Sequence, residues 1–197
     1  MRVWAIVVAA GRGDRFGGPK QYAPLDGRRV LDWSLDACRA TCDGVVLVVP
    51  PERVGDPEPA DAVVAGGATR ADSVRSGLAA VPDDAEVIVV HDAARPWASP
   101  ALFRAVVDAV HDGAVPALRL SDTVKRVEGD RVVETLDRAT LVAVQTPQAF
   151  RADVLRKAHA SGAEATDDAA LVEQLGGVVV VVPGEPGNRK ITHAGDV

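Results

Sequence analysis

The chain has 197 residues, is 47% hydrophobic but only 4% aromatic, and carries a formal net charge of −6. That length can bury one substantial core and predicts a single domain over residues 1–197. The acidic balance excludes a broad nucleic-acid or anionic-membrane surface, which needs a basic face, and the few aromatics exclude a stacking platform for single strands. Any anionic ligand must therefore meet a local cluster of cations.

In chain order, Val3 to Ala10 reads as a buried strand, and Val30 to Ala40 has helical spacing through Leu31, Leu35 and Cys38. No charged segment with a long apolar run and a cleavage site precedes that strand, so no signal peptide is expected, and no apolar run reaches the roughly 20 residues of a membrane helix. The expected compartment is the cytosol. Cys38 and Cys42, the only cysteines, fall four residues apart on the same helix and read as half-buried thiols. Val45 to Val49 is a second apolar strand, stopped by Pro50 and Pro51, and Ala62 to Ala65 is a short third. Thr69 can cap a helix running to about Val81, ended by Pro82 and Asp83. Glu86 to Val90 is a fourth strand. Pro100 suits a first helical turn, and after Gly113 another strand runs from Ala114 to Leu120.

This alternation predicts an α/β fold: a Rossmann-like, mostly parallel sheet with helices on both faces. The rhythm then breaks. Thr123 to Glu128 and Arg131 to Leu136 are short polar-apolar strands joined at Gly129-Asp130, which predicts a tight hairpin. Its charges suit neither core face, and an isolated hairpin is marginal in water, so residues 121–140 are expected to project as an arm that packs on a second subunit of a homodimer. Leu141 to Gln145 is expected to return to the core. Helical stretches near Val154 to His159 and Asp168 to Leu175 and a strand from Val178 to Val182 complete the chain.

The segment Ala9-Ala10-Gly11-Arg12-Gly13-Asp14-Arg15-Phe16-Gly17-Gly18-Pro19-Lys20-Gln21 follows the first strand, at the sheet end where open α/β folds bind ligands. Glycines let the backbone approach a ligand and turn N–H groups toward phosphate oxygens, while Arg12, Arg15 and Lys20 add charge. The segment reads as a phosphate-binding loop; the plainer alternative is a flexible surface turn. It is neither a dinucleotide fingerprint, which wants glycine where Phe16 stands, nor a Walker loop, which wants lysine where Pro19 stands.

Four blocks together carry a family resemblance: this loop, Gly66-Gly67-Ala68-Thr69-Arg70-Ala71-Asp72-Ser73-Val74, Val90-His91-Asp92-Ala93-Ala94-Arg95-Pro96, and Thr146-Pro147-Gln148. In order and across nearly the whole chain, the sequence resembles the 2-C-methyl-D-erythritol 4-phosphate cytidylyltransferase family. The resemblance implies transfer of CMP from CTP to a sugar-alcohol phosphate, with Mg²⁺ as cofactor. It implies nucleotide contacts by Ala9, Ala10, Gly11, Gly13, Gly67, Arg70, Ser73 and Ala93. Arg15, Lys20 and Lys190 would be the catalytic cations, and Arg95, Thr123, Arg138, Thr166, Asp167 and Thr192 would bind the acceptor, with Thr123 and Arg138 reaching across a dimer.

Read from the residues alone, several of these positions keep a second meaning. His91 and Asp92 end a strand and point to opposite sides, so one must be chosen; Asp92 is the hard oxygen ligand suited to Mg²⁺, although it can also merely cap a loop, and His91 is structural. Arg70, Asp72 and Ser73 can read a base edge or cap a helix. Thr123, Lys125 and Arg138 can be a solvated ribbon. Thr166-Asp167-Asp168 has the form of an N-cap. A ribitol 5-phosphate cytidylyltransferase and a non-catalytic nucleotide-binding regulator remain open alternatives.

Overall fold

The computed structural model describes residues 1–197. Strand β1 (Val3–Val8) is followed by a two-strand ribbon, β2 (Pro24–Leu25) and β3 (Arg28–Arg29), then by helix α1 (Val30–Arg39), β4 (Gly44–Val49), β5 (Ala62–Ala65), α2 (Arg70–Ala80) and β6 (Val87–Asp92). The second half contains α3 (Pro100–Ala109), β7 (Gly113–Arg119), β8 (Val124–Glu128), β9 (Arg131–Leu136), β10 (Val142–Val144), β11 (Gln148–Arg151), α4 (Ala152–Ala160), α5 (Asp168–Gln174) and β12 (Val179–Pro183). The main sheet has the order β10-β7-β11-β6-β1-β4-β5, with β12 also on β7. Pairings β1–β4, β1–β6, β4–β5 and β7–β12 are parallel, while β10 and β11 run antiparallel. The expected mostly parallel α/β sheet is the one observed, and the antiparallel β10 and β11 make it mixed.

The period of two along β1 divides the core. Val3, Ala5, Val7 and Ala9 join Leu31, Leu35, Leu102 and Phe103 on the face covered by α1 and α3. Trp4 and Ile6 join Val74, Leu78, Leu155 and Leu171 on the face covered by α2, α4 and α5. Each fully buried Leu or Phe side chain contributes roughly 1.5–3 kcal/mol of transfer free energy, so two packed faces hold the sheet rigid beneath the loops at its edge. The same alternation in β6 sends Val87 and Val89 to the first face and Ile88 and Val90 to the second. It therefore turns His91 and Asp92 in opposite directions. Helix α2 approaches the sheet closely because Gly77 has no side chain; a Cβ there would stand 2.6 Å from Ile6 Cγ2.

Two expectations from the sequence are corrected. Leu141 to Gln145 does not return wholly to the core: β10 is an edge strand pairing only with β7, Ala143 and Val144 are exposed, and only Gln145 is buried. The apolar letters there cover a sheet margin. Between β6 and β7 lies β11, an antiparallel strand absent from the sequence reading because it has four residues and one large apolar side chain, Phe150. Strands β8 and β9 form a separate two-stranded sheet, the expected hairpin, and Val127 and Val132 on it are more than half exposed. No helix is long and apolar enough to cross a membrane.

Candidate active site

The loop after β1 owes its shape to glycine and to one buried amide. Gly13 has φ +71°, and a Cβ there would lie 1.8 Å from the carbonyl oxygen of Gly18, so only glycine fits. The Gly13 carbonyl accepts from Phe16, Gly17 and Gly18 N–H at 2.8, 3.0 and 3.2 Å. Gln21, buried on the short 3₁₀ turn that also carries Lys20, donates from Nε2 to the carbonyls of Ala9 at 2.7 Å and Gly11 at 3.1 Å. Gln21 thus ties the outgoing end of the loop to its start.

Helix α2 begins beside this loop. Thr69 Oγ1 accepts from Asp72 N–H and the Asp72 carboxylate accepts from Thr69 N–H, a reciprocal cap. Ser73 Oγ donates to the Thr69 carbonyl at 3.0 Å and accepts from Gly67 N–H at 3.2 Å. The capping alternative thus holds for Thr69 and Asp72, while Arg70 and Ser73 still face the cleft. That cleft, of about 520 Å³, is lined by residues that include Ala9, Ala10, Gly11, Arg12, Lys20, Gly67, Arg70, Ser73, Asp92, Ala93 and Lys190.

A smaller cleft of about 210 Å³ adjoins it, lined by Arg95, Gln145, Thr146, Gln148, Thr166 and Asp167. Arg70, Asp92 and Lys190 line both. Lys190 Nζ donates to Asp92 Oδ2 at 2.6 Å and Arg70 Nε donates to Asp92 Oδ1 at 3.2 Å. Burial alone would push the Asp92 carboxyl upward, but Arg70 and then Lys190 outweigh it and hold the group well below the usual carboxylate range. Burial, Lys190 and Arg15 push the Lys20 ammonium below its ordinary value. Cations thus crowd a wall that carries one anion, an arrangement suited to a polyanionic ligand.

Behind this wall the packing is polar and extensively hydrogen-bonded, with Arg95 Nε, Gln148 Oε1 and Asn188 Oδ1 left without a partner. His91 lies on the other side of β6, where Nε2 donates to the Arg95 carbonyl and Nδ1 accepts from Thr146 Oγ1, both at 3.2 Å; Thr146 Oγ1 in turn accepts from Asp92 N–H. Burial lowers the His91 pKa to about 4, in keeping with a neutral ring and with the structural role expected of it. Gln145 and Asn188 brace the segment before Lys190: Gln145 Nε2 donates to the Glu185 and Asn188 carbonyls, and Asn188 Nδ2 donates to the Thr146 carbonyl. Arg95 Nη1 also donates to the Asn188 carbonyl. A small apolar cluster of Leu25, Val30 and Ile191, with Phe16, Trp33 and Trp97 against it, joins the glycine-rich loop after β1 to the Lys190 segment.

Most of the residues singled out from the sequence converge on the two clefts. Gly13, Arg15, Thr123, Arg138 and Thr192 line neither. Arg15 is exposed on the loop, near enough to Lys20 to depress its pKa. Thr123 and Arg138 are exposed at the base of the arm, where Arg138 Nη1 donates to the Ser121 carbonyl. Thr192 Oγ1 donates back to the Lys190 carbonyl at 3.2 Å. Asp167 does cap α5, accepting from Ala170 N–H at 3.0 Å, yet its other oxygen accepts from Gln148 Nε2 at 2.9 Å on the wall of the smaller cleft. The sequence reading gave no role to Gln21, Gln145, Gln148 or Asn188; only the Pro-Lys-Gln and Thr-Pro-Gln blocks marked two of them, since a bracing amide has no spacing signature.

The divalent cation implied for Asp92 has a single hard oxygen donor group, and no cluster of three or more His, Cys, Asp or Glu residues surrounds it. Asp92 faces the cleft among cations that would draw in phosphate oxygens, and one carboxylate completed by substrate phosphates is a usual Mg²⁺ environment. The residues fit that group.

The profile of the 2-C-methyl-D-erythritol 4-phosphate cytidylyltransferase family matches residues 3–197. A bifunctional enzyme IspD/IspF from Anaeromyxobacter dehalogenans is 51% identical over the whole of this chain, which spans 55% of that relative. A 2-C-methyl-D-erythritol 4-phosphate cytidylyltransferase from Saccharopolyspora erythraea is 46% identical, with 100% of this chain and 96% of the relative covered. The crystal structure of a 2-C-methyl-D-erythritol 4-phosphate cytidylyltransferase from Thermus thermophilus superposes with a TM-score of 0.83 at 37% identity, covering 100% of this chain and 95% of that one. The chain thus spans about half the length of the first of these relatives and nearly all of the other two.

Proposed function

The chain belongs to the 2-C-methyl-D-erythritol 4-phosphate cytidylyltransferase family, and on that premise we propose that it transfers CMP from CTP to 2-C-methyl-D-erythritol 4-phosphate, releasing pyrophosphate. The observation that carries this reading is the shared wall: Arg70, Asp92 and Lys190 separate a large cleft bounded by the phosphate loop from a smaller polar one. CTP occupies the first, with its cytosine and ribose beside Gly67 to Ser73 and its triphosphate against Gly11, Gly13 and Lys20. The acceptor occupies the second, among Arg95, Thr166 and Asp167, with Thr192 nearby.

In-line attack by an acceptor phosphate oxygen on the α-phosphorus builds negative charge on the α-phosphoryl oxygens, and fixed cations aimed there lower the barrier without reorganising. Lys20 and Lys190, which line the larger cleft with Asp92, supply that charge. Arg15 holds the outer phosphates. Asp92 would hold a Mg²⁺ ion, which would supply charge neutralisation and orientation of the triphosphate, and Lys190, which lines both clefts, faces the ligand. No side chain needs to form a covalent bond. Thr123 and Arg138, which reach neither cleft of their own chain, serve the smaller cleft of a second subunit in a homodimer, with the arm lying across it; an arginine fork suits a phosphate.

Pyrophosphate release from CTP with 2-C-methyl-D-erythritol 4-phosphate, with ribitol 5-phosphate and with neither tests the reading. Turnover with the first alone supports it. Turnover only with ribitol 5-phosphate moves the acceptor, and CTP binding without release under any condition replaces the enzyme by a nucleotide-binding protein.

A further inference from the structure

Arg70 faces the shared wall, yet its firmest contact points away from both clefts. Arg70 Nη1 donates to Asp168 Oδ2 at 2.7 Å, whereas its contact to Asp92 Oδ1, from Nε, is 3.2 Å. Asp168 is about 1% exposed at the start of α5, and its second oxygen accepts from His159 Nε2 at 2.9 Å, on α4. His159 is buried as well, and its Nδ1 has no partner. Four side chains from α4, α5, α2 and β6 therefore form one line: His159, Asp168, Arg70, Asp92.

We propose that Asp168 and His159 are positioning residues that restrict the Arg70 guanidinium to a single bond on one oxygen of Asp92, so that the other oxygen stays available to Lys190 and to the reacting centre. An arginine facing one carboxylate prefers two parallel N–H···O bonds. With Asp168 present, the short bond lies on Asp168 and Asp92 receives a single longer one, leaving Asp92 Oδ2 to Lys190 at 2.6 Å. Without Asp168, Asp92 is the one carboxylate left to Arg70, and a bidentate pair forms that takes both of its oxygens and displaces Lys190. His159 acts one step further back: its single hydrogen bond fixes the Asp168 carboxylate so that Oδ2 points at Arg70. A buried carboxylate with two donors is costly to leave half-satisfied, so the pair is rigid, and rigidity in groups behind a site decides the geometry at its surface. This proposal rests on the transferase reading above.

The test uses the full chain in four forms: wild type, Asp168→Asn, His159→Leu and His159→Gln. The glutamine retains an N–H near the Nε2 position, and nothing else is lost because Nδ1 makes no contact. Pyrophosphate release, thermal midpoints and crystal structures are measured for each. The expected result is a fall in kcat of about 10- to 100-fold in Asp168→Asn and His159→Leu, larger than any change in KM for CTP, with most of the loss recovered in His159→Gln. The crystal structures should show Arg70 paired through two nitrogens with Asp92 in the two impaired forms. Unchanged kcat, an equal loss in both His159 variants, or an Arg70 that keeps its place in the impaired variants overturns the proposal. Should Asp168→Asn not fold, the His159 pair carries the same decision. Should the wild type release no pyrophosphate, the transferase reading fails, and the position of Arg70 in the crystals still decides the positioning.

Discussion

Lys190 Nζ lies 2.6 Å from Asp92 Oδ2 although 98 positions separate the two residues in the chain. The pair stands where the two clefts meet, so each partner is at once a counter-charge for the other and a candidate for the ligand.

Lys190→Met should remove a cation aimed at the developing charge and lower kcat by about 10²–10³-fold, as loss of one such donor does in comparable sites. Because Arg70 still pairs with Asp92, the variant should fold. Steady-state pyrophosphate release together with circular dichroism checks both halves.

Lys20→Met should also abolish useful turnover, but with the opposite effect on stability. Burial, then Lys190 and Arg15, lower the Lys20 pKa from 10.5, so at neutral pH its charge opposes folding, and that cost vanishes as the pH rises past the unfolded value. Thermal melts at pH 7 should show a midpoint raised in the variant, and the gain should shrink as the pH approaches 10.5. A lowered midpoint at pH 7 would contradict the crowding of cations.

His91 makes the acid limb of stability steeper. Its folded pKa of about 4 lies below the ordinary 6.5, so the unfolded chain takes the proton first; the stabilisation is complete above pH 6.5 and is lost as the pH falls to about 4. The full loss is of the order of 3 kcal/mol. Denaturant titrations from pH 7 to 4 should show a shallower decline for His91→Gln than for the wild type.

Gly13→Ala and Gly18→Ala separate loop shape from loop flexibility. A Cβ on Gly13 meets the Gly18 carbonyl at 1.8 Å in a left-handed backbone, whereas a Cβ on Gly18 meets nothing within 4 Å. The first should weaken CTP binding by at least about tenfold, since both a clash and an unfavourable φ disturb the loop, and the second should be mild. Calorimetric CTP titration distinguishes them.

The arm predicts complementation. Lys20→Ala and Arg138→Ala are each inactive if Arg138 serves the neighbouring subunit, but a mixed dimer holds one intact site of two. Random subunit exchange then returns about a quarter of the wild-type activity. Exchanged subunits that stay inactive would place Arg138 in its own chain's site or in none.

Much of this protein was legible from local pattern. The run Val3 to Ala10 and the helical spacing of Leu31, Leu35 and Cys38 gave their elements because one face of each must be buried. Thr69 signalled the start of α2 because a cap is a local hydrogen bond. Gly13 marked the tight turn after β1 because its left-handed conformation is a property of the residue itself. Failures came where structure depends on distant partners. Gln148 to Arg151 form a strand only because β6 and β7 leave a gap between them, and Leu141 to Val144 look like core but edge the sheet.

The sequence by itself determined the α/β class, the glycine-rich turn after β1 and the residue types that meet there, since backbone preference and hydrophobic period act over a few residues. Only the tertiary structure decided which charges face one another. Lys190 reaches Asp92, and Arg70 is shared between Asp92 and Asp168, because β6, α2, α5 and the segment after β12 end at the same edge of the sheet. Coulomb interaction falls with distance in space and not along the chain, so the pairing that makes these residues a site exists only once the sheet has formed.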